Sequence, residues 1–506
     1  MGTDDSPIVV LSDSRTHNFA TMEGVNAQKW VEMFIQESCR EIREEFVKCN
    51  SEWIELLAAE GLIINGFEKG SRNSRHPLKP PSPIQIGGKI TRKDLEYQEL
   101  EESIKQVAEA QGKLWTFFWE TTYNCNEKCI HCFNPGASHR DGEHSRRSTK
   151  TIDRTRILCL LDELRDLGVF RIVFSGGEIL VSPDWEFILE QANQRAFEIH
   201  VYTNGVLLNK QNLSKLLRFW PQTVSISIYS TDPEIHDSVT RTPFSHEYSI
   251  KALKDLREAG IKTTIKSPIM NRTANEIYQL SQLAVELGAR ISFDTMISAG
   301  NDGNLYPTMH NLTWNQLLVL ALNELSPSYV GDSSRRYGEV TKDPLAPVCG
   351  AGRSIMSMAP DGVISPCCAL PIQVGDITQQ SMMSIWQSLP KADSTNPTAE
   401  PQSKPSGIQS LKDWKSVVLK DYTECGKHDR CSWCHKCPGA ALNETADVLS
   451  PSEVQCQIAS SRMTVANLLK EGVTDSRIVE LAETNKIPQP EITFNVYIPR
   501  NSQSDL

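Results

Sequence analysis

The chain has 506 residues, 39% hydrophobic and 23% charged, a composition typical of folded proteins and unlike that of disordered ones. At roughly 150 residues per domain, this length predicts about three domains. The net charge of -11 provides no broad positive field for a phosphate backbone, so nucleic acid is not an expected partner. The acidic start lacks the features of a signal peptide, and no apolar run reaches the ~18 residues of a membrane span. We therefore expect a cytoplasmic protein without a membrane partner.

The first 66 residues predict a small domain with a winged-helix-like order. Two short strands are expected at 8–11 and 17–21, followed by helical periodicity over 26–36, 38–48 and 51–60. Gly61 provides a helix stop before a third short strand. Residues 67–92 are rich in Pro, Ser, Gly and Arg and show no periodicity, which indicates a linker.

Strands and helices alternate between residues 93 and 330. Strands are expected at 114–119, 171–174, 198–202, 224–228, 262–268 and 290–294, with helices between most of them. Strands separated by helices of this length pair in parallel through right-handed crossovers. The predicted fold class is therefore α/β, with a partial (β/α)6 barrel.

Fourteen cysteines are the most informative feature of the composition, because thiols in a large cytosolic protein stay reduced. Cys39, Cys49 and Cys159 stand alone within helical patterns and are expected to be small buried residues. The other eleven fall in two groups, at 125–132 and 349–456. Clustered thiols in a reducing compartment indicate metal or redox chemistry.

The first group places Cys125, Cys129 and Cys132 directly after the first barrel strand. Structural zinc normally takes four ligands, whereas a 4Fe-4S cluster held by three thiolates keeps one iron open for a small molecule. A zinc loop that borrows a distant histidine and an ordinary electron-transfer cluster are the alternatives.

This spacing resembles the hallmark of the radical SAM superfamily. The resemblance implies that the three thiolates hold a 4Fe-4S cluster whose open iron binds S-adenosylmethionine (SAM), and that Phe133 lies near the adenine. It further implies chemistry at the carboxyl ends of the strands, where SAM is cleaved to methionine and a 5'-deoxyadenosyl radical that abstracts hydrogen. The cofactor carries the difficult step, and the protein supplies positioning and exclusion of water.

Two further motifs fit this resemblance. Gly176, Gly177 and Glu178 are similar to the family's Gly-Gly-Glu-Pro turn, which meets the methionyl amine, although Ile179 replaces the proline. Glycines suit close contact between backbone and a ligand, while a simple tight turn is the alternative. Residues at matching positions after the next two strands are further candidates to line the SAM site: Thr203, Asn204 and Ser227.

The second group resembles the SPASM extension of radical SAM enzymes that modify peptides, in which seven cysteines hold two auxiliary 4Fe-4S clusters. By order along the chain, the resemblance implies one cluster on Cys349, Cys367 and Cys437. The other would be held by Cys425, Cys431, Cys434 and Cys456. Gaps of five, two and two residues between the four central cysteines depart from the family's usual order, and a zinc ribbon is the alternative reading of this stretch.

Cys368 follows the second SPASM cysteine directly. Sulfatase-maturing relatives carry an aspartate base at this position, so the thiol counts against that reaction. It is a candidate catalytic hydrogen-atom donor, an additional cluster ligand or a buried structural thiol.

The resemblance implies five segments: a peptide-recognition domain at 1–66, a linker at 67–92, the radical SAM core at 93–330, the SPASM domain at 331–465 and a C-terminal helix and tail at 466–506. Such an enzyme would install a thioether or carbon-carbon cross-link in a ribosomally made precursor peptide. The N-terminal domain would bind the leader as an added strand, and flavodoxin or ferredoxin would supply electrons. A peptide epimerase, a sulfatase-maturase-like enzyme, an iron-sulfur electron carrier or scaffold, and a packing cap without a ligand at the N-terminus remain alternatives.

Overall fold

A computed structural model describes residues 8–12, 19–23, 112–135, 152–326, 343–387, 408, 410–490 and 492. The N-terminal part described is one antiparallel hairpin of strands β1 (Ile8–Ser12) and β2 (Phe19–Glu23), with Ile8 opposite Glu23. Both strands lie close to their expected positions. The predicted N-terminal helices, the third strand, the linker, Cys39 and Cys49 lie outside the described residues, so the winged-helix domain stays a prediction.

Six parallel strands in chain order form the barrel sheet, as the alternation of the sequence predicts. They are β3 (Thr116–Glu120), β4 (Arg171–Ser175), β5 (Glu198–Thr203), β6 (Thr223–Ser227), β7 (Thr263–Pro268) and β8 (Arg290–Asp294). Strands β3 and β4 contain buried apolar runs and β6 buries its three central residues, as is typical of a parallel sheet covered on both faces. This arrangement brings the carboxyl ends of all six strands to one end of the sheet.

Helices connect these strands and bury one apolar face each. They are α1 (Arg154–Asp166), α2 (Trp185–Gln194), α3 (Lys210–Leu217), α4 (Pro233–Thr240), α5 (Ser245–Glu258) and α6 (Ile277–Glu286). The sequence analysis recognised a helical pattern around Cys159 without giving its bounds, and it missed α4. Its placement of Cys159 in the core was also wrong, because α1 buries Ile157, Leu160 and Leu164 while Cys159 lies on the exposed face.

The sheet continues into the second cysteine region, which the sequence did not predict. Strand β9 (Ile355–Met358) pairs in parallel with β3, and the short strands β10 (Val363–Ser365) and β11 (Gly375–Asp376) follow in antiparallel order. Nine strands therefore form one sheet. Cys349 and Cys367 flank the β9–β10 hairpin and so come next to the first barrel strand.

Further helices complete the described part of the chain: α7 (Trp314–Leu325), α8 (Met382–Gln387), α9 (Leu411–Ser416), α10 (Pro438–Thr445), α11 (Glu453–Lys470) and α12 (Asp475–Glu483). Helices α7, α11 and α12 share a core around Trp314, Leu322 and Val465, with a buried Arg462–Glu324 ion pair of 2.7 Å. The predicted domain boundary at 465 falls inside α11. None of the described helices is long and apolar enough to cross a membrane.

Candidate functional site

The first cysteine group lies on the loop that follows β3, at the carboxyl end of the barrel strands. Burial raises the pKa of Cys129, and the nearby Glu127, Cys132 and Cys125 raise it further. The structure therefore brings the three predicted thiols together. Iron binding requires thiolates, and a bound cation favours that form strongly. The donor set fits a cluster held by three thiolates.

The predicted glycine turn lies directly against this cysteine loop. The amide of Gly177 donates to the carbonyl of Thr122 at 2.6 Å, and the amide of Glu178 donates to that of Asn124 at 2.9 Å. A Cβ atom at Gly176 would lie 2.3 Å from the Thr122 oxygen, and one at Gly177 would lie 2.3 Å from the Asn124 oxygen. The glycines thus allow the cysteine loop itself to approach, in addition to the ligand contact that the sequence suggested.

Glu178 connects the glycine turn to the end of β5. Its carboxylate accepts hydrogen bonds from the Thr203 hydroxyl at 2.7 Å, the Asn204 amide at 2.8 Å and the Leu180 amide at 3.0 Å. Burial raises the pKa of Glu178, while these three bonds lower it. The structure therefore joins three predicted site residues in one buried network, in which the carboxylate orients backbone.

Asn204 closes the connection back to the cysteine loop. Its Nδ2 atom donates to Asn126 Oδ1 at 2.9 Å and lies 3.8 Å from Cys125 Sγ. Two strand ends and the cysteine loop therefore hold one another in place. The three motifs that were singled out separately in the sequence form one continuous site.

Tyr229 is a site residue that the sequence analysis missed. It is buried, its hydroxyl lies near the side chains of Ser227 and Cys129, and its ring centroid lies 4.8 Å from that of His131. Burial raises its pKa, as do the neighbouring Cys129 and Glu127. The signal available in the sequence was its position two residues after Ser227, on the same side of the chain.

Asn301 links the cysteine loop to the second cysteine region. Its backbone N–H donates to the carbonyl of Phe133 at 2.8 Å, and its side-chain Nδ2 donates to the carbonyl of Cys368 at 2.8 Å. Its Oδ1 accepts from Asn443 Nδ2 at 3.0 Å. The Phe133 ring is partly exposed. Nothing local in the sequence marked Asn301, because all its partners are distant along the chain.

Three thiols of the second region, Cys349, Cys367 and Cys437, form what we call the three-thiol group. Burial raises the pKa of Cys349 to about 11, with contributions from Cys437 and Cys367. Gly439, at the start of α10, allows close contact, since a Cβ atom there would lie 1.9 Å from the Ala369 carbonyl oxygen. The structure groups these thiols as chain order suggested, and their assignment to one cluster stays a prediction.

The other four thiols line one cavity of about 790 Å³: Cys425, Cys431, Cys434 and Cys456. We call them the four-thiol group. Burial raises the pKa of Cys456 to about 12, with contributions from the other three thiols. Within the described ranges, no three Cys, His, Asp or Glu side chains are spaced to hold a single metal ion. The cavity and its thiolate donors fit a larger iron-sulfur group.

Cys368 lies in a buried titratable cluster at the end of β3. A hydrogen bond with the Cys368 thiol lowers the pKa of Cys367 to about 7, and the same bond raises that of Cys368. The Tyr123 hydroxyl donates to Glu120 Oε2 at 3.2 Å, and burial raises the pKa of Glu120 to about 8. Both groups interact electrostatically with the adjacent thiols. The sequence analysis missed Glu120 and Tyr123.

Comparison with known proteins agrees with this geometry. The model of the radical SAM superfamily matches residues 119–284, which include the cysteine loop and the glycine turn, and that of the SPASM iron-sulfur cluster-binding domain matches 349–438. The chain therefore contains a radical SAM domain and a SPASM domain. A radical SAM domain binds a 4Fe-4S cluster and SAM, and a SPASM domain binds auxiliary iron-sulfur clusters.

Two curated relatives of this chain are named for the biosynthesis of the antilisterial bacteriocin subtilosin and for the maturation of mycofactocin. The subtilosin biosynthesis protein AlbA of Bacillus subtilis is 28% identical over 282 residues, which is 53% of this chain and 59% of AlbA. The mycofactocin maturase MftC of Mycobacterium ulcerans is 26% identical over 285 residues, 54% of this chain and 74% of MftC. The chain thus spans less than two thirds of AlbA.

A crystal structure of Streptococcus suis SuiB bound to S-adenosylmethionine shares the fold of this radical SAM chain. The TM-score is 0.50 at 14% identity, and the alignment covers 90% of this chain and 99% of SuiB. At this identity the likeness concerns the fold alone.

Proposed function

We propose that the protein is a peptide maturase that cleaves SAM reductively and installs a thioether or carbon-carbon cross-link in a ribosomally made precursor. The observation that carries the proposal is the junction of the cysteine loop, the glycine turn and the end of β5 at the carboxyl end of the barrel. Active sites of α/β barrels lie at this end. The names of the relatives AlbA and MftC support a peptide as the substrate.

The chain's own residues hold and orient the reacting groups. When bound at Cys125, Cys129 and Cys132, the cluster and SAM supply hydrogen abstraction from an unactivated carbon. Glu178 fixes the ends of two strands through its three hydrogen bonds. Tyr229 fills the space below the cysteine loop and excludes water from it.

Cross-linking and epimerisation make different demands on the second cysteine region. A cross-link removes two hydrogens from the peptide, one abstracted as an atom and one leaving as a proton, and an auxiliary cluster, when bound, would accept the remaining electron. Epimerisation instead returns a hydrogen to the carbon, and Cys368 is the candidate donor for that role; its backbone carbonyl is connected through Asn301 to that of Phe133. We favour cross-linking because both auxiliary thiol groups are present in full.

The products distinguish these reactions. We expect reconstituted protein, supplied with SAM, a reductant and the precursor encoded beside its gene, to yield a peptide lighter by two hydrogens together with 5'-deoxyadenosine, as read by mass spectrometry. In heavy water, a peptide that gains one deuterium at a carbon without net hydrogen loss would instead establish an epimerase. A chain that forms no deoxyadenosine would be an electron carrier or scaffold.

Residues 1–66 are proposed to recruit the precursor by binding its leader as an added strand. The described part of this segment is the β1–β2 hairpin, and a hairpin offers an edge for strand addition. The electron donor is proposed to be a flavodoxin or ferredoxin, and a cytoplasmic location is proposed because cluster-ligating thiols need a reducing compartment. The predicted segments at 67–92, 93–330, 331–465 and 466–506 are kept as proposed divisions.

Deleting residues 1–66 is expected to weaken turnover of the full-length precursor strongly while SAM cleavage without peptide stays nearly unchanged. The reason is that a bound leader raises the local concentration of the core peptide at the active site. This tethering can increase the effective affinity for the precursor by about 10²-fold or more. Steady-state kinetics with precursor and leaderless peptide measure both activities. A truncated protein that keeps its iron and modifies the full-length precursor at the parental rate would identify the segment as a packing cap.

A further inference from the structure

The cavity of the four-thiol group contains a lysine held directly against one of its thiols. Lys436 Nζ donates to Cys425 Sγ at 2.9 Å and to the carbonyl of Ser450 at 3.2 Å, and it lies 4.2 Å from the ring centroid of Tyr422. Three partners from different parts of the chain therefore fix the ammonium group. Hydrogen bonds to sulfur and local charge are among the factors that set the potential of an iron-sulfur cluster.

A second cation faces the same cavity. Arg430 Nε is buried and has no hydrogen-bond partner among the described residues, and the guanidinium charge lowers the pKa of Cys456 against the effect of burial. A buried donor of this kind is normally satisfied. A cluster held in this cavity would offer its sulfur atoms as hydrogen-bond acceptors for the Arg430 Nε group.

Other charges near the cavity do not cancel these two. Lys427 forms an ion pair with Glu424 at 2.6 Å, and Asp421 accepts from the amide of Val418. Among the described residues that line the cavity, Asp429 is the one that carries a carboxyl group. The cavity therefore keeps a net positive lining.

The three-thiol group has a different environment. Asp294 raises the pKa of Cys437, whereas Arg353 lowers that of Cys349. The Arg353 guanidinium also donates to the carbonyl of Lys415 at 2.6 Å. Two carboxyl groups, those of Asp294 and Glu120, and one cation, Arg353, therefore lie near this group, whereas at the four-thiol group Lys436 is fixed directly against a thiol.

We propose that Lys436, assisted by Arg430, raises the reduction potential of the cluster held by the four-thiol group above that of the cluster held by the three-thiol group. Reduction adds one negative charge to a cluster, and a cation fixed at the ligating sulfur stabilises that charge. With both clusters bound, the one held by the four-thiol group would be the favoured acceptor for electrons released from the peptide. The inference rests on the proposed function, because it requires both auxiliary clusters.

The test is an EPR-monitored redox titration of the full-length, anaerobically reconstituted protein. Cys125, Cys129 and Cys132 are replaced by alanine in this parent so that auxiliary signals are read alone. We expect Lys436→Met to lower the reduction potential of one of the two auxiliary clusters. At a fixed applied potential, the reduced-to-oxidised ratio of that cluster should fall about tenfold, which corresponds to a shift of ~59 mV for a one-electron couple. Lys436→Arg should keep the parental potential.

Lys427→Met is the matched control, because Lys427 lines the same cavity but is paired with Glu424. Because the Lys427 side chain is 56% exposed and solvent screens its charge, its substitution should shift either potential far less than Lys436→Met does. Unshifted potentials in Lys436→Met at parental iron content would overturn the inference. If that variant loses iron, Lys436→Gln removes the charge and keeps a donor, and an unshifted potential there overturns it equally. If the parent protein, which lacks Cys125, Cys129 and Cys132, does not show two separate EPR signals, the assignment of two auxiliary clusters is refuted.

Discussion

Replacing Cys125, Cys129 and Cys132 together by alanine is expected to abolish 5'-deoxyadenosine formation. These thiols lie together on the loop after β3, and no other described thiol lies on that loop. Their loss removes the site of SAM cleavage while the three-thiol and four-thiol groups remain intact. The iron content should therefore fall by about a third, from three clusters to two.

Chromatographic quantification of deoxyadenosine under anaerobic reduction measures the first effect, and iron and sulfide analysis measures the second. Retained SAM cleavage in the triple variant would refute the assignment of the loop. Stoichiometric zinc, with iron for one cluster only, would show that the second cysteine region is a zinc ribbon.

Gly177→Ala is expected to lower SAM cleavage by about a hundredfold, since ~1 Å misplacement of reacting groups has an effect of that size. The new Cβ would lie 2.3 Å from the Asn124 carbonyl oxygen, in the backbone that leads into Cys125. Either the loop or the turn must move, and the hydrogen bond between the Gly177 amide and Thr122 breaks.

Gly303→Ala is a matched control for this substitution. It has a positive φ of 81°, so alanine there has a cost of roughly 1–2 kcal/mol from backbone strain, but a Cβ atom would meet nothing within 4 Å. Its rate of deoxyadenosine formation per bound iron should match that of the parent. A Gly177→Ala protein that cleaves SAM at the parental rate would show that the loop tolerates displacement.

The sequence predicted the barrel well because its signals are local. Apolar runs of strand length alternate with amphipathic helices, and β8 has the predicted bounds. The cysteine spacing likewise pointed to the loop after β3. The motifs at Gly176 and Thr203 could be placed near it because parallel strands end at the same side of a sheet.

The parts that the sequence did not reveal depend on contacts between distant residues. The pairing of β9 with β3 joins positions far apart in the chain, and no local pattern encodes it. Asn301 has ordinary neighbours in sequence, yet its side chain connects Cys368 and Asn443. Cys159 was misplaced because a lone thiol in an amphipathic helix carries no sign of which face it occupies.

The shared sheet restricts how this protein can be recombined or shortened. Strand β3 pairs with β4 on one side and with β9 on the other, so neither of its edges is open. A barrel cut before β9 would present a long apolar edge strand, which is a template for aggregation. A chimera that takes its auxiliary domain from another protein must therefore keep the register that sets Thr116 opposite Ile355 and Trp119 opposite Met358. Exchange between such proteins is grafting within one sheet, not the joining of independent modules.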